Sequence, residues 1–216
     1  GEAAAYRAVV EVGGARFAVS EPIALAPEGA AGTEIAFDVW DVDDDLVPSA
    51  PVLHTVAAPL PESGVLEVVE RWVLAVEGER AAGGVRLALP GAARSVRLGD
   101  ELQTSALVEA GAVVLSAALP PGEHEVVVVY DVPYAARSAV LDRPILQPIA
   151  EASLTVVDPA TRVASAVLAA SEPVTIGRAS GVRYGFDPLS PPARLVVTLD
   201  DLPVSAAGAQ DVVGVR

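Results

Sequence analysis

The reading of this chain turns on Leu119-Pro120-Pro121-Gly122-Glu123-His124-Glu125-Val126-Val127-Val128-Val129-Tyr130-Asp131-Val132-Pro133. A rigid Pro-Pro-Gly corner bends the backbone, and five apolar residues, Val126 to Tyr130, follow without a break. Four of the five are β-branched and the fifth is aromatic, so they suit a pleated backbone and lose χ1 freedom in a helix. An unbroken apolar run of this length predicts a strand covered on both faces, at the centre of a sandwich.

Outward from this stretch the chain reads as shorter, half-buried strands. Tyr6 to Val12 alternates, Gly13-Gly14 permits a two-residue turn, and Ala15 to Ser20 returns as a hairpin. Thr33 to Val39 alternates in the same way. From Asp41 to Pro61 the texture changes, with four aspartates followed by Pro48, Pro51, Pro59 and Pro61. Proline at that density argues against helix and central strand, which makes this stretch a domain boundary or a long crossing between sheets.

Gly64 to Val76 fits two periodicities. As a strand it puts Leu66, Val68, Trp72, Leu74 and Val76 on one face, with Glu70 intruding. As a helix it pairs Glu67 with Arg71 and stripes Val65, Val69, Trp72 and Val76. Its five valines favour the strand. Further strands are expected at Val85 to Leu89, Ser95 to Leu98, Ala135 to Leu141, Ala152 to Val157, Arg162 to Ala169, Gly181 to Phe186 and Arg194 to Leu199. A hairpin is expected between Leu102–Val108 and Val113–Ala118, and a turn at Asp158-Pro159-Ala160-Thr161.

Composition narrows the function classes. The net charge is −15, with 14 basic residues, all of them arginine, against 29 acidic ones. Such a surface repels phosphate backbones and anionic lipid, so neither nucleic acid nor a lipid surface is an expected partner. No apolar run reaches the length of a membrane span. Cysteine and methionine are absent; without thiols there is no disulfide or thiolate metal site. The missing methionine marks Gly1 as a processed end, a trimmed fragment or a tag remnant.

The pattern Leu119-x-Pro121-Gly122-x-His124-x-Val126-x-Val128-x-Tyr130 resembles the corner-plus-strand of fibronectin-type-III and immunoglobulin-like domains. Leu195-Val196-Val197-Thr198-Leu199-Asp200-Asp201-Leu202-Pro203 is similar to the last strand of such modules in bacterial envelope proteins, where a membrane anchor often follows. The resemblance covers roughly residues 64 to 203. It implies an all-β, immunoglobulin/fibronectin-III-like antiparallel β-sandwich. The expected organisation is a small N-terminal β unit at 1–60, the sandwich at 61–205 and a loose tail at 206–216.

Few residues are candidates for chemistry. Asp38, Asp41, Asp43, Asp44 and Asp45 cluster, and Asp41-x-Asp43-x-Asp45 matches the first three ligand positions of a calcium loop. Leu46 and Val52 stand where an EF-hand needs glycine and glutamate, so calcium at Asp41, Asp43 and Asp45 competes with a solvated acidic turn. Asp41 to Asp45 also looks somewhat like the calcium linker between cadherin domains. No other cofactor is expected. His124, between Glu123 and Glu125, and His54 read as structural or surface histidines. There is no nucleophile elbow, cysteine or lysine for covalent catalysis. Glu67, Glu70 and Glu77 are the one arrangement in which glycosidase carboxylates could pair. Trp40 and Trp72, the two tryptophans, are core packers by default and otherwise contacts for a partner or glycan.

The expectation is therefore a non-enzymatic module engaged in protein–protein interaction, as the soluble part or accessory subunit of a membrane-associated or surface assembly. Its partners would be other envelope or surface proteins. Its location would be periplasmic or extracellular, as a secreted protein or a membrane-anchored ectodomain. The alternative is a carbohydrate-binding accessory domain that stacks sugars on Trp40, Trp72, Tyr134 or Tyr184. A hydrolase ranks last.

Overall fold

The computed structural model describes residues 9–12, 15–18, 38–99, 106–109 and 111–205. Alternating apolar residues and turn signals give strands throughout, and the described residues contain no helix. The first strands are β1 (Val9–Val12), β2 (Ala15–Ala18), β3 (Val42–Asp43), β4 (Ser49–Leu60) and β5 (Val65–Val76). Next come β6 (Ala81–Ala82), β7 (Arg86–Ala88), β8 (Arg94–Leu98), β9 (Ala106–Glu109), β10 (Ala112–Leu115) and β11 (Gly122–Pro133). The chain ends its described part with β12 (Ser138–Pro144), β13 (Ile149–Val156), β14 (Arg162–Ala164), β15 (Leu168–Ile176), β16 (Ala179–Phe186) and β17 (Arg194–Asp200).

The protein is an all-β sandwich. Its large layer is a seven-stranded sheet in the order β15-β16-β13-β4-β5-β11-β8. Two three-stranded sheets, β12-β17-β14 and β7-β10-β9, supply apolar residues to the same core. Leu53, Val68, Leu74, Val128 and Leu154 from the large sheet form one buried cluster with Leu141, Val197 and Leu199 from the first small sheet and Leu87 and Val113 from the second. Pairing in the large sheet is antiparallel except for β4 and β13, which run parallel. The hairpin of β1 and β2 sits at one side, where Phe17 packs with Ala81 and Ala118.

The deciding stretch is a 12-residue strand, β11, paired with β5 at all 12 positions. The expectation of cover on both faces needs correcting. Val126, Val128, Tyr130 and Val132 are buried, whereas Val127 and Val129 are half-buried on the opposite side. The second layer lies on the face of Val126, Val128 and Tyr130, and the opposite valines keep part of their surface exposed. The strand reading of β5 holds, with Leu66, Val68, Glu70, Trp72, Leu74 and Val76 all buried on one face.

The proline-rich stretch departs from expectation. Far from being excluded from a central strand, Ser49–Leu60 lies between β13 and β5 in the middle of the large sheet. Its prolines sit where a missing N–H does little harm. Pro51 falls in an irregularity of the β5 pairing between Ser49 and Val52, and Pro59 lies beyond Ala57, the last partner of β13. The anticipated break between residues 60 and 61 therefore coincides with the turn joining two paired strands. Residues 49–60 belong to the same sheet as the rest of the sandwich and not to a small N-terminal unit.

Several other expectations shift by a few residues, and β15 lies largely where no strand was anticipated. The Asp158 turn forms as expected, with Thr161 N donating to Asp158 O at 3.3 Å and Ala160 N to Asp158 Oδ1 at 3.0 Å. The anticipated strand at Thr33–Val39 lies mostly outside the described residues, as do the Gly13-Gly14 turn and the tail from Ala206.

Candidate functional site

The strongest concentration of buried polar chemistry lies between the layers. Period-two alternation from Leu66 carries Glu70 into the core, where its residue is 1% exposed. A carboxylate at that depth is tolerable only if paired and hydrogen-bonded. Three donors meet it. Arg143, brought inward on β12 in phase with Ala139 and Leu141, places Nη1 at 2.6 Å from Glu70 Oε1. The Tyr130 hydroxyl from β11 donates to the same oxygen at 2.5 Å, and Trp72 Nε1 donates to Oε2 at 3.0 Å. The Arg143 guanidinium also lies over the Trp72 ring, 5.2 Å from its centroid.

The electrostatics follow from this geometry. Burial pushes the Tyr130 hydroxyl well above its ordinary pKa, and the Glu70 carboxylate pushes in the same direction. Burial disfavours the Arg143 cation, but the Glu70 charge, Tyr130 and the hydrogen bond to Glu70 together outweigh it and raise the guanidinium above its ordinary pKa. Both carboxylate oxygens of Glu70 are therefore occupied by donors from a permanently charged arginine and two aromatic side chains. Such a group ties the two layers together.

A cavity of about 20 Å³ adjoins the network, with Leu53, Thr55, Tyr130, Arg143, Phe186 and Leu195 among its walls. That is room for one water molecule and not for a metabolite.

The carboxylates considered for glycoside hydrolysis are dispersed. Glu67 is on the opposite face of β5, accepting from Arg97 Nη2 at 3.1 Å, and Glu77 is exposed past the strand's end. With Glu70 facing inward and sealed, these residues form no catalytic pair.

The acidic loop is likewise not gathered for a cation. Asp43 Oδ1 accepts the Asp45 backbone N–H at 3.0 Å, and its Oδ2 faces Arg80 Nη1 at 3.4 Å. Asp41 and Asp45 are exposed. Among the described residues no group of three or more histidines and carboxylates converges as a metal site. The geometry is that of an Asx turn with an arginine neighbour.

The two tryptophans differ in burial. Trp72 is 3% exposed and belongs to the buried network, which removes it as a surface contact for a partner or glycan. Trp40 is half-buried with its ring 6.1 Å from that of Phe17. Of the two tyrosines considered with them, Tyr184 is in the core, and Tyr134 donates its hydroxyl to Pro203 O at 2.5 Å. The histidines are partly buried in structural bonds. His54 Nδ1 is 2.7 Å from Ser153 Oγ, and His124 Nε2 is 2.7 Å from Pro120 O, bracing the double-proline corner.

A different feature stands out on the surface. β15 is the end strand of the large sheet, and eight of its nine residues are exposed, the exception being Val174. Its inner side pairs with β16 from Leu168 to Ile176, and no described strand pairs with its outer side. Beyond Val182, the last residue of β16 held by β13, the hairpin overhangs the sheet, with Ile176 and Arg178 exposed near its tip.

No family model matches this chain, and no curated protein matches it. Solved structures with a similar arrangement of strands include a mutant of the M1 zinc metallopeptidase of Deinococcus radiodurans bound to a Tyr-Ser-Ala substrate. It is 10% identical, with a TM-score of 0.46 over 70% of this chain and 42% of that one. Another structure of the same organism's M1 zinc metallopeptidase is 11% identical with a TM-score of 0.44 and the same coverage. This chain spans 42% of the length of those chains, and a likeness at this level transfers no activity to it.

Proposed function

We propose that this protein is a non-enzymatic interaction module, the soluble part or accessory subunit of a membrane-associated or surface assembly in the periplasm or outside the cell. Within that reading it is an immunoglobulin/fibronectin-III-like sandwich that contacts another envelope or surface protein by adding a strand to its sheet. The observation that carries the proposal is the open edge of β15. A nine-residue strand with exposed side chains and an outer edge that no described strand pairs is a template for another chain's backbone. Pro173 within it limits indiscriminate pairing, as prolines on edge strands do. The polar interior supports the same reading, since the one buried carboxylate among the described residues is engaged by three donors. For the carbohydrate-binding alternative the burial of Trp72 leaves half-buried Trp40, beside Phe17, as the remaining tryptophan.

The test is photo-crosslinking in an envelope fraction. A crosslinker at Ala170 or Thr175 is expected to capture one protein in common. The same group at Val140, exposed on the small sheet, is expected to capture none, and Ser171→Lys with Thr175→Lys is expected to abolish capture. Equal capture from both sheets, or capture that survives the lysines, would reject edge pairing.

A further inference from the structure

The buried network leaves two polar groups unspent. Arg143 uses Nη1 on Glu70, and among the described residues no acceptor meets its Nε or Nη2. Thr55, directly opposite Glu70 in the pairing of β4 and β5, is 6% exposed, and its hydroxyl has no protein partner among the described residues. Both residues line the cavity of about 20 Å³, and its other walls, including Leu141, Phe186 and Leu195, are buried too. The one described side-chain atom that is both sealed from any space and unpartnered is elsewhere, at Gln147 Nε2. The spare atoms of Arg143 and Thr55 therefore border the cavity and are not packed shut.

The occupant follows from size and charge. Unpartnered donors at this depth are costly, and a guanidinium is the more so. Glu70 already cancels the charge of Arg143, so an added ion would enter a low-dielectric interior without a counter-charge. The space admits one small molecule, which needs two or more polar partners to stay. We infer that this cavity is a binding site for a single water molecule, which accepts from Arg143 and bridges to the Thr55 hydroxyl. The water extends the network to β4, so that strands β4, β5, β11 and β12 share one hydrogen-bonded system. The walls of Leu53, Leu141, Leu154 and Phe186 hold it in place but offer it no bonds.

Crystals of the full chain decide this, examined as grown, under xenon pressure and after a bromide soak. One water peak is expected within hydrogen-bond distance of both Arg143 and Thr55 Oγ1, with neither xenon nor bromide in the cavity. Thr55→Ser is expected to keep the water, and Thr55→Val to lose or displace it. Xenon in the cavity would show it dry and apolar, and an anomalous bromide peak beside Arg143 would show an anion site. Either result overturns the inference, as does a cavity without density. Should Thr55→Val fail to fold, the parent and Thr55→Ser crystals still decide.

Discussion

Replacing Arg143 by methionine removes the one cation that faces Glu70 and leaves a carboxylate that is 1% exposed. Breaking a buried ion pair in this way costs about 3–5 kcal/mol, because the remaining charge has lost its partner. Against a total stability of about 5–15 kcal/mol for a domain, that is about a fifth of the whole at the least. Glu70→Met strands the guanidinium and belongs in the same range of about 3–5 kcal/mol. The joint variant, Glu70→Met with Arg143→Met, behaves differently. Exchanging the pair for apolar residues of similar volume is neutral to stabilising by about 1–4 kcal/mol. Against that, the Tyr130 hydroxyl and Trp72 Nε1–H lose their acceptor, at about 1–3 kcal/mol each. At mid-range a gain of about 2 stands against a loss of about 4, so the double variant is expected about 2 kcal/mol below the parent, against about 6–10 for the summed singles. The singles and the double then disagree with additivity by about 3 kcal/mol or more, the signature of direct contact. Urea unfolding followed by tryptophan fluorescence measures all four proteins, with the slope showing whether the unfolding transition is comparable. Additive losses, or a loss below about 1 kcal/mol for Arg143→Met, would refute the claim that a buried carboxylate depends on this arginine.

Three further outcomes follow. Tyr130 has its folded pKa raised, so the stability this imparts is fully present below the unfolded value of about 10 and is lost as pH rises through the folded value. Tyrosinate absorbance should therefore show one tyrosine ionising only with unfolding, and Tyr130→Phe should remove that phase; smooth titration of all tyrosines in the native state would contradict it. At the acidic loop, millimolar calcium and chelator should leave the melting temperature unchanged, whereas a rise that Asp43→Asn abolishes would restore the metal site. At Gly181 an added Cβ would collide with the backbone oxygen of Val156, where no side chain can rotate away. Gly181→Ala should then destabilise by about 1–3 kcal/mol through separation of β16 from β13, and an unchanged unfolding midpoint would disprove that contact.

What could be read in advance was set by alternation. The β5 face from Leu66 to Val76 was legible because period two is a local property, and Glu70 was visible on it as an intruder. Its partner was harder to see, since Arg143 lies 73 residues away and on a different sheet. The available signal was phase: in Ser138-Ala139-Val140-Leu141-Asp142-Arg143, the arginine shares a face with Ala139 and Leu141. A charge on the apolar phase of each of two strands is an invitation to pair them. Proline misled at Ser49–Leu60, because its cost depends on whether a neighbour needs that N–H, and pairing irregularities and strand ends are not written in composition. β15 escaped notice for the opposite reason. Leu168-Ala169-Ala170-Ser171-Glu172-Pro173-Val174-Thr175-Ile176 has no buried face to impose alternation, so only its pairing with β16 reveals it. The default reading of Trp72 as a core packer holds, because a large ring at an inward phase serves the core first.

The direct test of edge pairing is backbone hydrogen exchange of residues 168–176, compared between the isolated chain and the chain in the envelope assembly proposed for it. Outward amides of β15 should exchange freely in isolation and become strongly slowed in the assembly, with Pro173 the one silent position. Unchanged exchange along β15, or slowing confined to another surface such as the Asp41–Asp45 loop, would contradict the account.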